Sequence, residues 1–167
     1  MTTISWSQVS ESEHIVQFCE TDAFLIGSLS EFISTGLKLG DICIVLATEP
    51  HQTSLEQRLQ RDGLEVDTAR VRGEYISFDA AATLSQFMIN GALSQERFFE
   101  IIGDIIEQAG QGRSRVRIFG ELVTLLWEDG YRTEAIRLEE LWNILAKTHS
   151  FSLFCTYPMY GFDGEMY

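Results

Sequence analysis

The residues in this chain whose types and positions could do chemistry are Glu20 and Asp22, Thr48, Glu49 and His51, Asp79, and Gly120 and Glu121, with Thr21, Thr156 and Tyr157 beside them. Each follows a short apolar run that reads as a β-strand. If the strands are parallel, these residues collect along one rim, where Glu49, Asp79 and Glu121 would converge on a pocket. Carboxylates so placed could act as acid and base or face a polar ligand, but helix caps and solvated surface acids account for many such residues. We therefore treat them as candidate ligand contacts and assign no catalytic residue. The two prolines, Pro50 and Pro158, fall at the same strand ends and would stiffen that rim or simply stop the strands.

Several chemistries lack the residues they need. A phosphate-gripping loop requires GxxxxGK[ST] between a strand and its helix, so that glycine amides, a lysine and a hydroxyl meet the phosphates. Here that connection is Glu20-Thr21-Asp22, short and carrying negative charge where positive potential is needed. GxGxxG and GxSxG are absent as well, so neither a dinucleotide cofactor nor a hydrolase elbow is expected. No HxxxH or CxxC spacing places two metal ligands on one element, and no metal site or cofactor is predicted. His14 and His149 each precede a predicted strand, on the rim away from the pocket, where a structural role is expected. Cys19, Cys43 and Cys155 sit within apolar runs and read as buried thiols.

The elements that must position these residues follow from hydrophobic periodicity. Strands are predicted at 14–20, 42–47, 75–78, 116–119 and 151–156, and the continuous apolar run ICIVLA marks a strand covered on both faces. Helices are predicted at 23–39, ended by Gly40-Asp41; at 52–61, after a closing Thr48-Glu49-Pro50-His51; and at 80–89, capped by Asp79. Further helices are expected after Ser94, through Phe98, Ile101, Ile102, Ile105 and Ile106; at 122–127; and at 133–148. Residues 64–73 are left unassigned, Asn90-Gly91 breaks the chain and 110–114 forms an exit loop. The five alternations of strand and helix predict an α/β fold, a three-layer doubly wound sandwich around a mostly parallel sheet of about five strands. Residues 1–13 read as a polar leader and 159–167 as a loosely attached tail.

The balance of 25 acidic against 12 basic residues gives a formal charge of −13, which opposes nucleic-acid phosphates and anionic membrane surfaces. No apolar stretch is long enough to span a bilayer and the first residues lack a signal-peptide pattern, so a cytoplasmic domain is expected.

The segments HIVQFCETDAFLIGSLSEFISTGLKLGDICIVLATEPHQTSLEQRL, YISFDAAATLSQFM, RVRIFGELVTLLWEDG and AIRLEELWNILAKTHSFSLFCTYP resemble the MEDS domain, the methanogen/methylotroph DcmR sensory domain, over residues 14–158. That resemblance implies a RecA/KaiC-like fold with a degenerate P-loop and a role in bacterial or archaeal signal transduction. It also implies recognition of a small organic ligand, output through a separate histidine kinase or transcription regulator, and possible homodimerisation. By the motif match, Glu49, His51, Gly120 and Glu121, with Arg137, Glu140, Trp142 and Tyr157, become candidates for the pocket or switch region. Trp142 can equally be core, Arg137 can bridge helix carboxylates, and of the neighbours Glu139 and Glu140 at least one should be solvated or paired, for instance with Arg137 or Arg117. The leading reading is a noncatalytic sensor. Its rivals are an interaction module docking through Tyr157, Tyr160 and Phe162 around a filled crevice, and an atypical nucleotide enzyme dependent on Glu121.

Overall fold

The computed structural model describes residues 13–111 and 115–158. The expected leader, apart from Glu13, and the expected tail at 159–167, with Tyr160 and Phe162, lie outside the described residues, as does most of the exit loop.

Five strands form one sheet: β1 (His14–Cys19), β2 (Ile42–Ala47), β3 (Tyr75–Asp79), β6 (Val116–Gly120) and β7 (Ser152–Pro158). Their order is β1-β7-β6-β2-β3, and every neighbouring pair is parallel. Between β3 and β6 the two-residue strands β4 (Met88–Ile89) and β5 (Ala92–Leu93) pair antiparallel on their own. The helices are α1 (Asp22–Leu39), α2 (Glu49–Arg61), α3 (Val66–Val71), α4 (Ala80–Phe87), α5 (Gln95–Gly110), α6 (Leu122–Glu128) and α7 (Arg132–Leu145). The predicted three-layer α/β architecture is therefore observed.

Two apolar clusters fill the layers. On one face Leu29, Phe32 and Ile33 of α1, with Leu55 and Leu59 of α2, pack on Val45, Phe119 and Phe154. On the other, α4 to α7 cover Ile44, Leu46, Ile118, Leu153 and Cys155, with Trp142 and Phe98 at the centre. Side chains alternate across each strand, so the uninterrupted apolar character of β2 reflects helices on both sides.

The element boundaries differ from the sequence reading where local chemistry competes with periodicity. The second helix begins at Glu49 with Pro50 in its first turn, a position where a missing N–H costs nothing, so Glu49 and His51 belong to the helix and not to a preceding loop. Residues 64–73, unassigned from sequence, contain the short α3. The fourth helix stops at Phe87, because Met88–Leu93 form a hairpin whose turn residues, Asn90 (φ 53°) and Gly91 (φ 79°), both take the left-handed conformation that an Asn-Gly turn favours. The predicted caps Asp79 and Ser94 accept from the amides of Ala82 and Arg97 at 2.8 and 3.3 Å, and Thr21, not predicted as a cap, accepts from Phe24 at 3.1 Å.

Inside the α1 layer lies a buried ion pair. Arg117 Nε donates to Asp41 at 2.8 Å and its Nη1 to the Phe32 carbonyl at 3.0 Å, while the guanidinium lies over the Phe32 ring. Arg117 therefore ties the end of α1 to β6 and does not reach Glu139 or Glu140. The pair has room because α1 carries Gly36 there: a Cβ at that position would sit 2.6 Å from Arg117 Cδ and 2.8 Å from Cys43 Sγ. Gly36→Ala should cost about 1–3 kcal/mol through this overpacking, whereas Gly27→Ala on the same helix, with nothing within 4 Å of its new Cβ, should be neutral or stabilising by up to about 1 kcal/mol. Urea unfolding of both variants checks this; equal effects would refute the packing argument.

Candidate functional site

The sheet order dictates where a crevice can open. From β2 the chain runs outward to β3, then returns to β6 on the other side of β2 and continues to β7. The helix leaving β2, α2, covers one face, while α6, leaving β6, covers the other. Their first turns thus separate above the carboxyl ends of β2 and β6, the topological switch point at which open α/β sheets hold ligands.

A cavity of about 480 Å³ lies there. Its walls come from the end of β1 and start of α1 (Cys19, Thr21, Asp22, Leu25), the start of α2 (Thr48, Pro50, His51), α6 (Glu121, Thr124, Leu125, Glu128) and the end of β7 (Thr156). The positions Glu121, Thr124, Leu125 and Glu128 recur at helical spacing, so one stripe of α6 faces the cavity.

Backbone and side-chain bonds fix this rim. The Glu121 amide donates to the Leu46 carbonyl at 2.9 Å, which seats the β6–α6 turn on the end of β2. Gln52 Nε2 donates to the carbonyls of Ala47 (2.9 Å) and Phe78 (2.7 Å), fastening α2 to β2 and β3. Thr124 Oγ1 donates to the Thr156 carbonyl at 2.5 Å.

At the centre, His51 Nδ1 donates to Glu121 Oε1 at 2.6 Å, and its Nε2 lies 3.3 Å from Asp22 Oδ1. Glu121 is 3% exposed. A carboxylate that deep requires a partner, and the imidazole supplies one. The Glu121 hydrogen bond raises the His51 pKa to about 9, with the bond to Asp22 and the two negative charges adding to it against the opposing effect of burial. His51 is therefore an imidazolium at neutral pH, linking α1, α2 and α6. On the same wall, burial and the nearby Glu121 charge raise the Glu128 carboxyl above its usual range. One imidazolium thus stands among three carboxylates, which makes the crevice unfavourable for phosphates and compatible with polar or cationic groups.

Of the candidates from sequence, the crevice brings together Thr21, Asp22, Thr48, His51, Glu121 and Thr156. The others lie elsewhere. Glu20 and Glu49 are exposed and do not line it. Asp79 caps α4 beyond β2, at the β3 edge. Gly120 lies under Trp142, at an ordinary contact distance of 3.8 Å for an added Cβ, so no close backbone passage demands glycine. Trp142 is core, edge-on to Phe98 with centroids 5.2 Å apart. Arg137 donates to Gln95 at 3.2 Å, joining α7 to α5, and Glu140 is exposed. Tyr157 turns toward α7 and donates to Glu139 at 2.6 Å. The residues that sequence reasoning missed are Thr124, Leu125 and Glu128; their i+3, i+4 and i+7 offsets from Glu121 were a usable signal.

Because the folded His51 pKa stands above the ~6.5 of an unfolded chain, its stabilisation is complete below about pH 6.5 and is lost as the pH rises through about 9. Wild-type protein should lose about 1–3 kcal/mol of unfolding free energy across that window, and His51→Gln should lack this component. Urea titrations at both ends of the window test it; identical pH slopes in the two proteins would sink the assignment.

Among curated proteins no match was found. Residues 13–167 match the family model described as MEDS, the methanogen/methylotroph, DcmR sensory domain. The match runs through residues 159–167, which the sequence reading set apart as a tail. With almost the whole chain covered and the strand-end crevice embedded within it, the chain belongs to the MEDS family of sensory domains.

Proposed function

We propose that this sensory domain detects a small organic molecule bound in the crevice above β1, β2, β6 and β7, and that it does so without catalysis. The observation that carries the reading is the open cavity of about 480 Å³ at the switch point, within the range of ligand pockets and lined by both apolar and polar side chains. The rim it shares among α1, α2 and α6 offers a physical route for a signal. A ligand that bound more tightly to one arrangement of these helix starts would bias that arrangement, which is the requirement for switching.

In this reading the two-residue turn Glu20-Thr21, with Asp22 opening α1, stands where RecA/KaiC-type proteins would hold a triphosphate, a degenerate P-loop put to another use. The carboxylates around His51 support that view, since phosphate would meet repulsion there. Output would pass to a separate histidine kinase or transcription regulator, directly or through a homodimer. The rival interaction-module reading expected a filled crevice and an exposed Tyr157. The open crevice and the buried Tyr157, 8% exposed, favour the ligand reading over it. Among the described residues no helix is long and apolar enough to cross a membrane.

A thermal-shift screen of small neutral and cationic organics tests the proposal. A hit at 100 times its Kd should add about 2.7 kcal/mol, Leu125→Trp should abolish the shift by filling the crevice, and ATP with magnesium should give none. Stabilisation by ATP that Leu125→Trp removes would instead favour a nucleotide enzyme, and hits insensitive to Leu125→Trp would place the ligand elsewhere.

A further inference from the structure

A second group of chemistry-bearing side chains lies away from the crevice, where α7 crosses the β1–β7 edge of the sheet. The register pairs His14 with Leu153 and Val16 with Cys155, so His14 and Cys155 project to the same face, and Glu139 of α7 reaches down onto them. One donor atom from each of His14, Glu139 and Cys155 lies within 4.8 Å of the other two.

The surroundings orient all three. Asn143 Oδ1, one helical turn beyond Glu139, lies 3.4 Å from His14 Nδ1 and holds that side of the ring, which leaves Nε2 toward Glu139. Nε2 is buried without a hydrogen-bond partner, 3.6 Å from Glu139 Oε2. Tyr157 occupies the other carboxylate oxygen, Oε1, at 2.6 Å, which leaves Oε2 turned to the histidine. Cys155 is 1% exposed. Three groups able to ligate a metal therefore face one small volume, in which the buried Nε2 has no hydrogen-bond partner.

We infer that His14, Glu139 and Cys155 form a divalent-metal site selective for Zn²⁺, held by three protein ligands with a fourth position for water. A mixed nitrogen, oxygen and sulfur set suits zinc, and Asn143 and Tyr157 fill the outer positions that orient its ligands. Tetrahedral zinc with bonds of about 2.0–2.3 Å needs donors roughly 3.3–3.8 Å apart; His14 Nε2 and Glu139 Oε2, at 3.6 Å, already meet this, and Cys155, within 4.8 Å of both, closes the remainder by a shift of at most about an ångström. On binding, the Cys155 thiol proton leaves to solvent and a zinc–sulfur bond forms, with no change of oxidation state. Burial, with the Glu139 charge, raises this thiol well above its usual range, and a bound dication reverses that preference. Spacing motifs cannot reveal such a site, because its ligands come from β1, α7 and β7.

The test uses the full chain stripped with chelator and titrated with Zn²⁺ by calorimetry and with Co²⁺ by absorption. One equivalent should bind, and cobalt should show a tetrahedral spectrum with a thiolate charge-transfer band. His14→Ala, Glu139→Gln and Cys155→Ser should each weaken binding at least tenfold, Cys155→Ser should remove the band, and His149→Gln should change neither. If Cys155→Ser fails to fold, His14→Ala and Glu139→Gln carry the test. The absence of stoichiometric binding, a cobalt complex without the thiolate band, or binding kept in His14→Ala but lost in His51→Gln would overturn the assignment. The crevice ligand is scored separately, through Leu125→Trp, so either site can fail alone.

Discussion

A carboxylate buried at the end of a central strand is a debt that the surrounding structure must settle, and Glu121 is that carboxylate. It sits where β6 turns into α6, its amide already bonded to the end of β2, and its charge is met by His51 at 2.6 Å. Because His51 also lies against Asp22, neutralising one buried acid fixes the relative positions of three helix starts. A lone buried carboxylate would either take up a proton or loosen the turn. The shape of the crevice thus follows from an electrostatic need at a single residue.

The same principle operates deeper in the molecule with different means. Arg117 and Asp41 are both almost fully buried, yet each has geometry close to ideal for the other, and the guanidinium also meets a carbonyl and an aromatic face. Such a pair contributes more to the uniqueness of an arrangement than to its net stability, since dehydrating two ions costs nearly what their attraction returns. Here it sets how far α1 slides along β2 and β6, and hence where Asp22, at the other end of α1, meets His51.

The sequence reading reached the layer architecture because apolar runs in parallel strands and caps at helix starts are local signals. ICIVLA, Gly40 and the caps at Asp79 and Ser94 all behave as expected. It went astray where meaning depended on a neighbour. The Asn90-Gly91 pair was read as a break and not as a hairpin turn, since the flanking strands are only two residues long. Arg137, Glu140 and Trp142 came from a motif match that carries no direction, and none of the three lines the crevice. His51 and Glu121 are nominated both from strand ends and from the motif match, but their bond joins residues 70 apart in sequence and only the fold could reveal it.

Among the described residues, β1 pairs with β7 alone. His14 meets Leu153, and the opening ladder cannot form until residues 152–158 exist. During synthesis β1 must wait, with Ile15 and Cys19 not yet packed against the core, while the middle of the sheet assembles from β2, β3 and β6. Synthesis of residues 152–158 is thereby coupled to closure of the sheet, and a chain cut before them would carry a half-built sheet with β1 unpaired.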